Sequence, residues 1–229
     1  MFDLQGYGGT IAYGALITLE VGLASLVLAL LLGMLAAVAK MSSIAPLRWL
    51  AGIYTTVIRG IPDLVLMLLI FFGGQVLIND LAYRLGYDDY IDINPFVAGV
   101  VAIGFIFGAY MAETLRGAYL AVDKGQREAA LAYGMRPGQV FFRVMLPQLL
   151  RHALPGLGNN WLVLLKTTAL VSVIGLDDMV RKASLAAGAT QMPFTFYLSV
   201  AVIFLVFTSI SVWLLNLAET RLGRAYRRG

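Results

Sequence analysis

Six charged side chains interrupt long apolar runs in this chain: Glu20, Arg59, Asp63, Glu113, Arg116 and Lys166. A charge inside a bilayer costs a few kcal/mol unless it faces protein or water. These six residues therefore need partners or an aqueous path. Arg59 and Asp63 are four apart and can pair along one helix face, and Glu113 and Arg116 are three apart. Lys166 then wants a carboxylate from another segment, with Glu113 and Glu20 both open. Two chemistries suit such a set: ionic locks between helices, or acids lining a path for a cation. Arg59, Glu113, Arg116 and Lys166 read as locks or gating charges. Glu20, Asp63 and Asn160 read as candidates for the path, although Asn159 and Asn160 would serve equally as caps on free helix amides. Catalytic chemistry finds little here. There is no cysteine and a single histidine, so a thiolate or His-built metal site is not expected. No serine clusters with a base. The Gly-x-x-x-x-Gly-Lys-Ser/Thr loop that cradles nucleotide phosphates is missing.

The composition supplies the solvent in which these charges sit. The 229 residues are 60% hydrophobic and 13% charged, whereas soluble domains carry roughly a quarter charged. Five apolar runs are long enough to cross a membrane: about 14–39, 50–78, 95–115, 154–176 and 193–217. The first is too long for a signal peptide's apolar core and reads as a retained span. Pro62 should kink or interrupt the second. The expected fold is all-α and polytopic, one domain over 8–221, with no soluble domain and no clear internal repeat.

Loop charges set the direction by the positive-inside rule. Lys40 and Arg48 follow the first span. Lys124, Arg127, Arg136, Arg143 and Arg151 separate the third and fourth, and Arg221, Arg224, Arg227 and Arg228 form the tail. The other side carries Asp80, Asp88, Asp89 and Asp92, then Asp177 and Asp178, against Arg84, Arg181 and Lys182. This places the N-terminus outside and the C-terminus in the cytoplasm. The pI near 9.4 is explained by the same bias, without nucleic acid. Small residues recur every four positions in Gly14-Thr18-Gly22, Ser25-Ala29-Gly33-Ala37 and Gly104-Gly108-Ala112. Such rows let helix backbones approach closely in lipid.

The segment 124–147 is the most distinctive. Arg127 to Tyr133 contains good helix formers. Gly134 can adopt the left-handed conformation that ends a helix, and Pro137 suits the first turn of the next. Gln139 to Leu146 should continue helically until Pro147 limits it. Two short helices joined by a sharp turn are expected on the basic side. The alanines would let the first sit shallowly in a groove of another protein. Phe141, Phe142, Val144 and Met145 would give the second an apolar surface.

The pattern Glu128-Ala129-Ala130, three residues, Gly134, nine residues, Val144, any residue, Leu146-Pro147 resembles the EAA loop of ABC importer permeases, with Val144 in place of isoleucine. Arg59-Gly60-Ile61-Pro62 and Ala109-Tyr110-x-x-Glu113-x-x-Arg116-Gly117 are similar to segments of the polar amino acid permeases in that group. The likeness runs from about Gly8 to Arg221. Within the family, Gly86 to Asp92 and Pro155 to Trp161 look most like the Q-type subunits of histidine and lysine-arginine-ornithine importers, with octopine and nopaline permeases as near neighbours.

The resemblance implies a type I importer transmembrane domain in the bacterial inner membrane. Its expected companions are a homologous second permease subunit or a second copy of itself, two ATP-binding subunits carrying ATP and Mg, and a periplasmic amino-acid-binding protein. Glu128, Ala129, Ala130, Gly134, Leu146 and Pro147 would couple to the ATPase. This chain itself would bind no cofactor and would not be an enzyme. The implied cargo is a basic amino acid (histidine, arginine, lysine or ornithine) or an opine. A secondary transporter subunit has no use for such a loop. A simple membrane anchor leaves the charges within the spans unexplained.

Overall fold

The computed structural model describes residues 4–226. Arg227 and Arg228 of the basic tail lie outside the described residues. Eight helical stretches follow one another: α1 (Gly8–Met41), α2 (Ala45–Gly60), α3 (Asp63–Arg84), α4 (Pro95–Ala121), α5 (Lys124–Ala132), α6 (Pro137–Ile174), α7 (Met179–Thr190) and α8 (Pro193–Tyr226). Five of them, α1, α3, α4, α6 and α8, are long and apolar enough to span a membrane. No strand occurs among the described residues.

The second expected span, 50–78, is corrected. Ile61 is extended (φ −112°, ψ 140°), as a residue before proline is driven to be. The helix therefore stops at Gly60 and restarts at Asp63. The apolar run before Pro62 belongs to a separate short helix, and the span itself is Asp63–Arg84. The fourth span starts much earlier than 154, within the continuous helix Pro137–Ile174. Its turns widen to π geometry at Val140–Met145, where the Leu146 amide donates to the Phe141 carbonyl. Pro147 follows directly and does not end the helix as expected. It has no amide to give, and the wide turn removes the clash its ring would otherwise cause. Asn159 and Asn160 consequently lie mid-helix and cap nothing.

The packing is sorted by size rather than polarity. On α1, Gly14, Thr18, Gly22, Ser25, Ala29, Gly33 and Ala37 are buried, while Leu16, Leu23, Val27, Leu31, Leu35 and Val38 are exposed. On α4, Gly104, Gly108 and Ala112 are buried. The expected rows of small residues thus form the closest helix contact in the bundle. A Cβ on Gly33 would lie 2.5 Å from the Met111 Cβ, a distance that only glycine permits. Large apolar side chains are left for lipid, which solvates them as well as a protein core does. The core centres on α4, with Ala102, Ile103, Ile106, Phe107 and Met111 fully enclosed or nearly so. A smaller core joins α7 to the start of α1 and to α8 through Ile11, Met179, Ala183 and Phe196. The α3–α4 connection is tied back onto α3. Asn79 Oδ1 accepts from the Ile91 amide at 2.8 Å and Gln75 Oε1 from the Ile93 amide at 3.0 Å.

Candidate functional site

Two regions hold the residues singled out by sequence. The first is the elbow from α5 into α6. Asp123 starts α5 by accepting from the Gly125 amide at 2.7 Å. Gly134, at φ +80°, ends the helical turn. The Gly134 amide donates to Leu131 O at 2.9 Å and the Met135 amide to Ala130 O at 3.1 Å. This double bond pattern is the Schellman stop, and it needs a residue at ease in the left-handed region.

Ala130 is buried against Val140 and Met145, with Tyr119, Met135 and Val144 packed around them. Glu128, Ala129, Ala132, Gly134 and Pro147 face outward, and Leu146 is half-buried. The expected apolar surface of the second helix is half right. Phe141 and Phe142 are exposed at 37% and 67%, but Met145 is enclosed and Val144 half-buried, because both support the elbow from within. Tyr133, 90% exposed, protrudes beside the turn. The elbow is a small cored knob that presents alanines and aromatics on its outer face.

The second region lies where α1, α2 and α4 meet. Glu113 is the hub. Its Oε2 accepts from Arg116 Nε at 3.1 Å and pairs with Nη2 at 3.0 Å, so the pair expected three residues apart is present. Its other oxygen pairs with Lys40, and Lys40 Nζ also donates to Thr55 Oγ1 at 2.8 Å. The sequence alone places Lys40 in a basic loop. It ends α1, and only the crossing of α1 over α4 brings it to Glu113.

Arg59 stacks over the Tyr110 ring, its guanidinium carbon 5.5 Å from the centroid. It does not pair with Asp63, because the break at Ile61–Pro62 destroys the shared helix face. Lys40, Thr55, Thr56, Arg59, Gly60, Tyr110 and Glu113 line an open cleft of about 420 Å³.

The remaining candidates are scattered. Asn160 Nδ2 donates to Thr114 Oγ1 at 2.9 Å, a bond between α6 and α4 one residue from Glu113. Glu20 and Lys166 are both exposed. Neither forms an ion pair or hydrogen bond among the described residues, so the expected pairing of Lys166 with Glu113 or Glu20 is corrected. Asp63 is half-buried in the first turn of α3.

Asp178, which by sequence sits in a loop, is the most enclosed acid among the described residues. Asp178 has no exposed surface. It caps α7 by accepting from the Arg181 amide at 2.9 Å, and its Oδ2 has no hydrogen bond. Burial pushes its carboxyl up to about 6. The signal in the sequence was the Asp-x-x-Arg cap spacing ahead of an apolar helix.

Comparison with known proteins extends this picture. Residues 29–224 match the family of binding-protein-dependent transport system inner membrane components. The chain is 50% identical over 225 residues to the histidine/lysine/arginine/ornithine transport system permease protein HisQ of Salmonella typhimurium, covering 98% of each. It is 41% identical over 228 residues to the octopine transport system permease protein OccQ of Rhizobium radiobacter, covering 100% of this chain and 96% of that one. Among solved structures, an amino acid ABC transporter crystallised with histidines superposes with a TM-score of 0.83 at 36% identity, over 96% of this chain and 98% of that one.

Proposed function

The chain belongs to the family of binding-protein-dependent transport system inner membrane components and is a permease subunit of an ABC importer; from this premise we propose that its cargo is a basic amino acid, with opines as the neighbouring choice. The observation that carries the cargo is identity to permeases of both kinds over nearly the whole chain. In the proposed arrangement the N-terminus faces the periplasm and the elbow faces the cytoplasm, in the bacterial inner membrane. A second permease subunit, homologous or identical, completes the path. Two ATP-binding subunits hold ATP and Mg below, and a periplasmic binding protein delivers cargo above.

The elbow suits the coupling role physically. Its shape is fixed from inside by Ala130, Val140 and Met145, and it is continuous with the helix that crosses the membrane. A push on α5 is therefore transmitted to α6 as a rigid displacement. The tilt of α6 against α4 would open the bundle alternately to each side. Glu128, Ala129, Ala130, Gly134, Leu146 and Pro147 make or support the docking surface in this reading. Glu20, Asp63 and Asn160 remain the proposed path contacts.

The test is ATP-driven uptake of labelled arginine, histidine and octopine into proteoliposomes holding the assembled transporter, with and without the binding protein. Uptake of at least one cargo that requires every component is expected. Uptake without the ATPase would sink the importer reading. In the same assay Gly134→Asp should keep ATP hydrolysis and abolish most uptake, since the turn needs positive φ and a new carboxylate would stand on the docking face. Full uptake in that variant would remove the coupling role from the elbow.

A further inference from the structure

Arg59 is a cation without an anion. It makes no ion pair and no hydrogen bond among the described residues, and it lies over the Tyr110 ring. Asp63, the carboxylate nearest in sequence, begins the next helix beyond the Pro62 break and does not pair with it. The surroundings make up only part of the deficit. Lys40 and Arg116 share the single carboxylate of Glu113. The cleft and its rim hold three cations, Lys40, Arg59 and Arg116, against Glu113 and the Asp63 carboxylate, whose charge also reaches Tyr110.

Water in the open cleft eases such an excess, and an anion that enters it would ease it further. The cleft is open and its volume of about 420 Å³ falls within the roughly 300–1,000 Å³ of small-molecule sites. Its walls offer hydroxyls from Thr56 and Tyr110 beside the charges. A planar guanidinium held against an aromatic ring is well suited to grip a carboxylate with two parallel hydrogen bonds.

We propose that this cleft between α2 and α4 is a site for the zwitterionic head of the amino-acid cargo, with Arg59 holding its carboxylate. The walls carry both signs. Arg59 faces the carboxylate, while Glu113 has lone pairs beyond those used by Lys40 and Arg116 for the cargo's ammonium. A lipid phosphate would gain from Arg59 but would be opposed by Glu113. The site rests on the reading that the cargo is an amino acid. It lies at the Lys40 end of α1, the side assigned above to the cytoplasm, so it is the last position before release.

The experiment is competition binding on the assembled transporter without nucleotide or binding protein. Labelled arginine is displaced by unlabelled arginine or by agmatine, which keeps the guanidinium and lacks the carboxylate. In the wild type, arginine should compete better than agmatine by about tenfold or more, the value of one charge-assisted contact. In R59Q that preference should fall to within about twofold, and R59K, which keeps the charge but loses the fork, should retain part of it. Arg48→Ala, a cation on the same helix outside the cleft, should leave it intact. Subunit co-purification reports assembly for each variant, and R59K carries the test if R59Q does not assemble.

A full preference in an assembled R59Q or an unchanged one in R59K overturns the proposal, as does a wild type that transports yet shows no preference. Loss of the preference when phosphatidylglycerol is added, at saturating arginine, assigns the cleft to a lipid phosphate and also overturns it. A wild type that takes up neither amino acids nor opines rejects the cargo reading itself, a separate result.

Discussion

Glu113 and Asp178 are both acids in the packed part of the bundle, and they are satisfied in opposite ways. Glu113 keeps 16% of its side chain exposed and uses both oxygens on Lys40 and Arg116. Asp178 has no exposure, one capped backbone amide and one oxygen without a hydrogen bond. Both stand beside α1, at its two ends, and both are reached through a glycine. Gly33 admits Met111 near Glu113, and Gly14 admits Met179 next to Asp178, where a Cβ would lie 2.8 Å from the Met179 Cα. The same close approach thus closes over a paired charge at one end of α1 and an underpaired one at the other. A fully paired charge fixes helix positions, whereas an underpaired one makes the contact depend on protonation.

The largest break in this comparison should come from Glu113→Gln. It leaves Lys40 and Arg116 together without an acid; removing one member of a fully buried ion pair costs about 3–5 kcal/mol, and this part-exposed cluster should lose less than that. Transporter yield in detergent and uptake should both fall severely. Normal values for both would show that water, not Glu113, satisfies the two cations. The next effect is overpacking. Gly33→Ala presses on the Met111 Cβ and the Ala112 amide, atoms close to the backbone, and should cost about 1–3 kcal/mol of thermal stability. Gly14→Ala meets the Met179 backbone and should cost a similar amount. It should loosen α7 alone, as read by hydrogen exchange, while Gly33→Ala should loosen α1 against α4. Equal loosening of both regions in either variant would mean that the two ends of α1 are not independent.

A smaller effect, specific to the Asp178 end, depends on pH. The Asp178 carboxyl is raised from its ordinary 3.8 to about 6 by burial, so the folded state holds its proton more tightly than the unfolded one. The stabilisation is complete below about 4 and is lost as pH rises to about 6, with no further change above. The opening free energy of α7 from hydrogen exchange, corrected for intrinsic rates, should fall across that window. Asp178→Asn should flatten it, and a wild-type profile without slope would mean the carboxyl is solvated. Lys166→Ala marks the floor of the series. Because Lys166 is exposed and unpaired among the described residues, subunit stability should move by no more than about 0.5 kcal/mol. A larger loss in the assembled transporter than in the isolated subunit would place Lys166 at a contact with another chain.

Much of this was written locally in the chain. The spans follow from apolar length, the α2–α3 break from Pro62, the elbow's turn from Gly134, and the close face of α1 on α4 from small residues every four positions. The Glu113–Arg116 pair follows from helix periodicity. What escaped was long-range. Lys40 and Glu113 are 73 residues apart, and no spacing rule joins them. The Arg59–Asp63 pairing failed because it assumed one helix across a proline. Lys166 has no partner among the described residues, because its face of α6 is exposed. The burial of Asp178 could not be read from a loop with four charges in six residues, because α7 folds back onto α1 there.

The sequence by itself determined an all-helical membrane protein of five spans with a sharp turn ahead of the fourth, because hydrophobic length, glycine and proline act within a few residues of where they stand. Only the tertiary structure decided which charge meets which, where α1 closes over α4 and α7, and that Arg59 lies over the Tyr110 ring without an ion pair among the described residues. Those outcomes depend on the crossing of helices distant in the chain. Side-chain periodicity gives the face a residue occupies, but not the depth at which another helix will cross it.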